Sequence, residues 1–319
     1  MAVMKRVAWL WLACLLLPAL GGAHGGMDAA KRSVEASMLV TGEIAVNSDG
    51  SVYGYSLDHR DKLPAPIIKL IGEALPHWKF TPVKLDGKAV LAKASMSLRI
   101  VAKQLDAEHD AISIESAAFG TETAQSHTTS ECANGACLAY LEKRSPSYPV
   151  SLVQNLVSGT VYLAVEVDRQ GKVAQVAVEQ VDLRRLADET TLGRWRRELG
   201  RVSMEAARKW TFQIPRTGIE AGQDHWVVTV PVNYSIGIPG ERKTIGEPGY
   251  GQWDVYVPGP VNSIPWAEAQ RGQVASKRGA DAVPDNGVPF VADTRFVLLT
   301  ALGTDSRSRP SPETAPGQG

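Results

Sequence analysis

A β-hairpin pattern occurs twice along the chain and constrains the fold more than any other feature. The first copy alternates apolar and polar residues from Gly42 to Val52, with a turn at Asp49-Gly50. In the second copy, alternation begins at Val161 and turns at Gln170-Gly171. Period-2 patterning predicts strands with one buried face, and a glycine at the turn accepts the positive φ of a tight connection. The repeat predicts two similar units.

Each hairpin is followed by a segment with helical spacing of apolar residues that ends in a Trp-x-Phe motif. These motifs are Trp78-Lys79-Phe80 and Trp210-Thr211-Phe212. A third strand is predicted at Ala92–Val101 and at Trp226–Ile236. The order strand, strand, helix, strand predicts an α+β fold of two tandem small domains. In each, a helix packs on a three-stranded antiparallel sheet.

Composition changes set the predicted boundaries. At 319 residues the chain has room for two ordinary domains. The predicted division is a signal peptide at 1–23, a first domain at 34–103, a linker at 104–145, a second domain at 146–238 and a largely disordered Gly/Pro-rich tail at 239–319, with a strand at 295–302 that could dock on the second domain.

The N-terminus has the pattern of an export signal. Lys5 and Arg6 precede an apolar run from Val7 to Leu20, and Gly21-Gly22-Ala23 offers a cleavage site. The run is short of the roughly 20 residues that a spanning helix needs. We therefore expect cleavage and a periplasmic protein, with an uncleaved inner-membrane anchor as the alternative.

Cys132 and Cys137 are the two cysteines left after cleavage. An exported chain meets oxidising conditions, so a disulfide between them is predicted. Zinc is the competing interpretation, but this pair with His127 falls short of four ligands.

Charge and motifs narrow the function classes. Lys plus Arg equals Asp plus Glu at 34 each, which disfavours nucleic acid as a partner. No phosphate loop or metal motif occurs, so no cofactor and no metal site are predicted. His59 beside Asp58 could form an acid–base pair, although a polar turn explains it as well. A hydrolase would instead need His225 to share a pocket with Glu220 or Asp224.

The second copy resembles the TonB C-terminal domain, the periplasmic module of bacterial energy transducers. The resemblance covers roughly residues 145–236. Its residues are Tyr148-Pro149, Gly159-Thr160-Val161, the turn from Val167 to Val173, the run from Ala206 to Phe212, and Val230-Pro231-Val232. The first copy is similar over roughly residues 36–101 but lacks the Tyr-Pro entry.

The resemblance implies a small α+β fold whose sheet edge accepts an extended segment of an outer-membrane receptor by strand addition. The edge it implies is the last strand of the second domain, through Trp226, Val228, Val230, Val232 and Tyr234. Two interpretations stay open for these residues. They form an exposed binding edge, or they are ordinary core and the segment from Phe296 to Leu302 covers the edge.

The resulting hypothesis is an exported periplasmic binding protein, not an enzyme, whose partner is a protein or peptide such as a TonB-dependent outer-membrane receptor. A membrane-anchored TonB-type energy transducer for transport is the alternative, but the long Pro-rich spacer that would cross the periplasm is absent. Edge-to-edge pairing could also give a homodimer.

Overall fold

A computed structural model describes residues 34–104, 110–122, 135, 137–217, 219–237, 244–245, 249–271, 279–284 and 287–303. The predicted signal peptide at 1–23 lies outside the described residues. The predicted mixed α+β class is confirmed, with antiparallel strand pairs and few helices.

The first unit has its strands and helix where the sequence pattern places them. Helix α1 begins after Pro64, with a proline in its first turn where no N–H is needed, and it buries Ile67 and Ile71. The elements are β1 (Glu35–Val46), β2 (Val52–Leu57), a 3₁₀ turn (Arg60–Lys62), α1 (Ala65–Ala74), a second 3₁₀ turn (Leu75–His77), the small hairpin β3 (Lys84–Leu85) and β4 (Lys88–Ala89), and β5 (Ala92–Gln104).

The segment predicted as a linker at 104–145 contains ordered strands, so that part of the prediction is wrong. The strand β6 (Asp110–Glu122) pairs antiparallel with β5 from Gln104↔Asp110 to Ser95↔Gly120. Farther along, β7 (Ala139–Glu142) places Tyr140 in the core of the second unit. Ser- and Ala-rich composition misled the prediction, because alternate small and apolar residues of β6 still fill a buried face.

The second unit repeats the order of the first with a longer helix. The side chain of Asp188 caps that helix by accepting from the backbone N–H of Thr191 at 3.0 Å. The elements are α2 (Val150–Gln154), β8 (Gly159–Asp168), β9 (Val173–Leu183), α3 (Glu189–Ala207), β10 (Thr211–Gln213), a 3₁₀ turn (Ile219–Gly222) and β11 (His225–Tyr234).

The tail predicted to be largely disordered is built into the fold over much of its length. After β12 (Ile236–Gly237), the described elements of the tail are β13 (Thr244–Ile245), β14 (Asp254–Tyr256), α4 (Pro265–Arg271), a 3₁₀ turn (Gly279–Ala282) and β15 (Phe290–Ala292). Residues 304–319 lie outside the described part of the chain.

The segment predicted as a strand at 295–302 docks on the first unit and not on the second. Phe296 and Leu298 are buried in the first core. The backbone N–H of Thr81 donates to the Val297 carbonyl at 2.9 Å, and that of Leu299 donates to the Lys79 carbonyl at 2.7 Å. The tail thus binds next to the Trp-x-Phe motif of the first unit.

The two units share one sheet instead of forming two separate three-stranded sheets. Within the described residues, nine strands join in the order β14-β1-β5-β6-β15-β11-β8-β9, with β2 on β1 beside β14. Directly after β14, Val257 exchanges backbone hydrogen bonds with Leu183 of β9, at 2.8 and 3.1 Å. The ends of the sheet therefore meet, and the sheet closes on itself through the tail.

Each helix covers its own core on one face of the sheet. In the first core, Trp78 and Phe80 pack edge-on against Phe119 of β6, with ring centroids 6.2 and 5.1 Å apart. In the second, Tyr140 of β7 stacks on Phe212, and the Trp210 indole donates to the Arg144 carbonyl at 2.8 Å. Both Trp-x-Phe motifs thus anchor a core.

The same backbone contact closes the hairpin turn in both units. Gly50 and Gly171 have φ of 81° and 73°. The N–H of Phe80 donates to the Gly50 carbonyl at 2.8 Å, and that of Phe212 donates to the Gly171 carbonyl at 2.7 Å. A Cβ at either glycine would lie 2.0 Å from the carbonyl oxygen of the same phenylalanine. Only glycine fits here without displacing the backbone.

Gly171→Ala should destabilise the protein by at least about 2 kcal/mol, because it adds a backbone collision to the strain of positive φ. Urea unfolding followed by tryptophan fluorescence measures the change. Gly87→Ala is the matched control, since Gly87 has φ of 79° but open space around a Cβ; it should cost about 1 kcal/mol. Equal losses for the two variants would contradict this account of the turn.

Candidate partner-binding edge

The strand expected to be the binding edge lies inside the sheet. Over its full length, from His225↔Asp168 to Tyr234↔Gly159, β11 pairs with β8. On its other side, Thr229 pairs with Phe290 of β15. All five predicted edge residues are buried in the second core: Trp226, Val228, Val230, Val232 and Tyr234. The interpretation of these residues as an exposed edge is therefore replaced by the alternative, ordinary core.

The segment that covers β11 differs from the one the sequence suggested. Strand β15 lies between β11 and β6, and Val291↔Thr121 is the middle of its three pairs with β6. Phe290 fits closely over Gly120, where a Cβ would come within 2.9 Å of its ring. Residues 290–292 thus fill the space between β6 and β11, while residues 296–302 lie on the first unit.

The outer edge of β2 is an open edge of the described structure along the whole strand. Its inner side pairs with β1 from Gly42↔Leu57 to Val46↔Val52. Among the described residues no strand pairs with its outer side. The Asp58 N–H donates to the Thr41 carbonyl at 3.0 Å. This bond makes Gly42↔Leu57 a pair that is not itself hydrogen-bonded. Because hydrogen-bonded and non-hydrogen-bonded pairs alternate in an antiparallel ladder, the N–H and C=O groups of Tyr55 and Leu57 point away from β1.

Two aromatic side chains are exposed on this strand. Tyr53 is 69% exposed and Tyr55 is 38% exposed. The Tyr55 hydroxyl reaches α1, 3.4 Å from where a Cβ on Gly72 would be. The strand, Val52–Leu57, contains neither a charged residue nor a proline, which are the usual means by which proteins block an edge. The edge is therefore available for pairing.

The counterpart of β2 in the second unit is β9, and the chain lays its own extended segment along part of that edge. After the Val257–Leu183 contact, the Asn262 N–H donates to the Glu179 carbonyl at 2.8 Å. Between them, Gly259 lies so close to the strand that a Cβ would be 2.1 Å from the Val181 carbonyl oxygen. An extended segment can thus occupy this side of a hairpin in this fold.

A buried polar cluster lies on the sheet face turned away from the helices, where both units and the tail meet. Arg99 of β5 donates through Nε to the Asp281 carbonyl at 2.7 Å and through Nη2 to the Tyr162 hydroxyl at 3.4 Å. The Asp281 carboxylate accepts from Ser116 at 2.9 Å and from Tyr256 at 3.4 Å. One arginine therefore joins β5, β8 and the tail.

Asp182 is a second carboxyl group in this region. It accepts hydrogen bonds from the Gly259 N–H and from Gln180 Nε2, both at 2.9 Å. Burial, with a smaller contribution from the negative charge of Asp281, raises the pKa of Asp182 to about 7. The polar cluster therefore joins strands of both units to the tail, and the charge of Asp182 within it changes near neutral pH.

The residues considered for catalysis are not gathered into a site. His59 lies at the start of a 3₁₀ turn with its ring against Tyr250. His225 contacts Gln270 and lies 3.9 Å from Glu166, while Asp224 forms an exposed ion pair with Arg169. Among the described residues no group of three potential metal ligands occurs.

The predicted disulfide stays a prediction, because Cys132 lies outside the described residues and Cys137 inside them. No helix within the described ranges has the length and apolar character needed to span a membrane.

Because the folded-state pKa of Asp182 is above its unfolded value of roughly 3.9, folding binds a proton between these two pH values. This stabilising contribution is present below about pH 4 and is lost as pH rises through about 7. Asp182→Asn, neutral at every pH, should raise the melting temperature at pH 8 by several degrees and flatten its decline between pH 5 and 8. Differential scanning fluorimetry measures both.

The exposed Asp224→Asn is the control and should leave the wild-type pH dependence intact. An Asp182→Asn profile with the wild-type slope would contradict the assignment.

Comparison with known proteins gives one partial similarity. The chain is 33% identical over 91 residues to "Protein TonB" of two Xanthomonas campestris pv. campestris strains, B100 and ATCC 33913. The match covers 28% of this chain and 34% of each relative, so the chain spans about a third of the length of the curated relatives it matches. No protein-family model and no solved structure matches the chain. A TonB-like segment is thus the extent of the similarity.

Proposed function

We propose that this protein is an exported binding protein, not an enzyme, that takes an extended segment of a partner protein onto the outer edge of β2. The observation that carries the proposal is the open outer side of β2 next to two exposed tyrosines. Strand addition needs backbone donors and acceptors at an edge, and side chains beside it supply selectivity.

The backbone of β2 is suited to this role. Tyr55 and Leu57 present their N–H and C=O groups outward, because the Thr41–Asp58 hydrogen bond fixes the alternation of the ladder. The partner residue opposite each would exchange two hydrogen bonds with it. Tyr53 and Tyr55 then contact alternate side chains of the added segment, which fixes its register.

The second unit offers a precedent within the same chain. There, residues 257–262 run along β9, the counterpart of β2, and hydrogen-bond to Leu183 and Glu179. The same side of the hairpin thus accommodates an added segment without rearrangement of the sheet. In the first unit the corresponding position is open to another protein.

The partner we propose is the extended periplasmic segment of an outer-membrane receptor. The partial similarity to Protein TonB supports this choice, as does the export signal predicted at 1–23. The proposed location is the periplasm, after cleavage.

A second candidate is a membrane-anchored transducer, and the name of the curated relatives favours it. It requires the apolar run at residues 7–20 to be retained in the inner membrane. The mass of the mature protein decides between the two, because a chain beginning near residue 24 has lost that anchor.

A photo-activated cross-linking residue in place of Tyr53 should give one adduct in the native cells. Mass spectrometry should map it to a single extended segment of an outer-membrane protein. The same residue in place of Val150, which is 70% exposed on α2, is the control and should not give that adduct.

Two further variants separate backbone pairing from ring contact. Tyr55→Pro removes an outward N–H and should abolish the adduct, whereas Tyr55→Val keeps the N–H and should weaken it only a few-fold. An adduct unaffected by Tyr55→Pro would overturn strand addition. An adduct to a second copy of the chain would replace the receptor segment with a homodimer.

A further inference from the structure

Three aliphatic side chains project from α2 and the turn after it. Val150 is 70% exposed, Val153 is 39% exposed and Leu156 is 45% exposed. Val150 and Val153 are three residues apart in α2 and share one side of that helix, and Leu156 lies just beyond its C-cap, Asn155. We call these three residues the aliphatic tip.

The backbone holds the tip in a fixed and strained shape. Leu156 has φ of 52°, in the left-handed region that favours glycine. It is fixed there because the Tyr148 hydroxyl donates to the Val157 carbonyl, and the Val157 N–H donates to the Leu152 carbonyl at 3.0 Å. Glycine would remove the strain, so a leucine directed outward at this position suggests a role for its side chain.

A row of arginines lies next to the tip. Ser151 of α2 donates to Glu198 of α3 at 3.3 Å, which places the two helices in contact. On α3 and at its C-cap, Arg194, Arg197, Arg201 and Arg208 are exposed, and their spacing of three, four and seven residues puts them on one side. Arg201 pairs with Glu205 at 2.7 Å. We call these four residues the arginine face.

The combination fits an anionic lipid surface. Aliphatic side chains insert between headgroups, and guanidinium groups bind lipid phosphates. Three side chains are too few for a specific protein interface, which buries about 800 Å² per partner and centres on aromatic anchors. The tip has no aromatic residue. A bilayer requires neither a large area nor a fixed register.

We propose that the aliphatic tip and the arginine face form a site that binds the surface of an anionic phospholipid membrane. This contact is separate from the β2 edge and does not depend on the partner proposed for it. It would hold the protein at a membrane surface without a spanning helix.

Flotation of the purified protein with vesicles tests the proposal. Protein should float with 3:1 phosphatidylethanolamine:phosphatidylglycerol vesicles and not with vesicles in which phosphatidylcholine replaces phosphatidylglycerol. Arg194→Glu/Arg197→Glu should reduce binding at least about tenfold. Lys84→Glu/Lys88→Glu, on the exposed β3–β4 hairpin, is the matched charge control and should bind normally.

Leu156→Gly separates membrane binding from folding. It relieves the left-handed strain, so stability should be equal to the wild type or higher, while vesicle binding falls several-fold. Leu85→Gly, at a side chain that is 53% exposed, should leave binding unchanged.

Several outcomes would overturn the proposal: no flotation with anionic vesicles, equal flotation with neutral ones, or wild-type binding by Leu156→Gly. A polyglutamate peptide is then tested as a competitor of the vesicles. If the wild type and Leu156→Gly bind this peptide equally and it displaces the vesicles, the arginine face binds an acidic protein partner and the membrane proposal is overturned.

Discussion

Unpaired backbone groups at the edges of a small sheet favour pairing with further strands, and this tendency organises most of the described structure. A hairpin–helix–strand unit leaves its third strand with an open side. Here β6 pairs along β5, and the short β15 fills the space between β6 and β11. Residues 254–262 then pair with β1 and β9. Two units that could each have formed a separate sheet become one closed sheet, and the outer side of β2 stays open.

The closure brings polar groups together in the interior. Asp281 is fully buried, and its backbone carbonyl and carboxylate contact Arg99, Ser116 and Tyr256. Nearby, Arg184 holds Asp254 through two charge-assisted hydrogen bonds of 2.8 and 3.0 Å at the joint between β9 and β14. Removal of one member of such a pair leaves a buried charge without its partner, so the tail and the units are expected to fold together.

The sequence predicts the parts of this fold that depend on local pattern. Alternation located both hairpins, helical spacing located α1 and α3, and the Trp-x-Phe motifs correctly indicated buried anchors. The identity of the open edge could not be predicted, because it depends on pairing between distant segments. Phe290 lies beside Thr229 and Glu122, and no local signal in Pro289-Phe290-Val291 distinguishes a bridging strand from a loop.

The buried polar cluster around Arg99 and Asp281 could not be predicted from the sequence either. Arg99 and Asp182 lie in strands that alternate apolar and polar residues, so the pattern predicts that both side chains face solvent. The residues around Asp281 have the composition of a polar loop. Only the closed sheet turns those faces inward. The resemblance to the TonB C-terminal domain indicated strand addition but placed it on β11, where the chain itself supplies the neighbouring strand.

Amide hydrogen exchange of the β2 and β11 backbones tests most directly the central claim, that the outer side of β2 is open whereas β15 covers β11 at Thr229. The outward N–H groups of Tyr55 and Leu57 should exchange quickly through local exposure. The N–H of Thr229, which points away from β8 toward Phe290 of β15, should be protected nearly to the level of global unfolding. Rapid exchange of the Thr229 N–H together with full protection of Tyr55 and Leu57 would contradict the account and return the binding edge to the second unit.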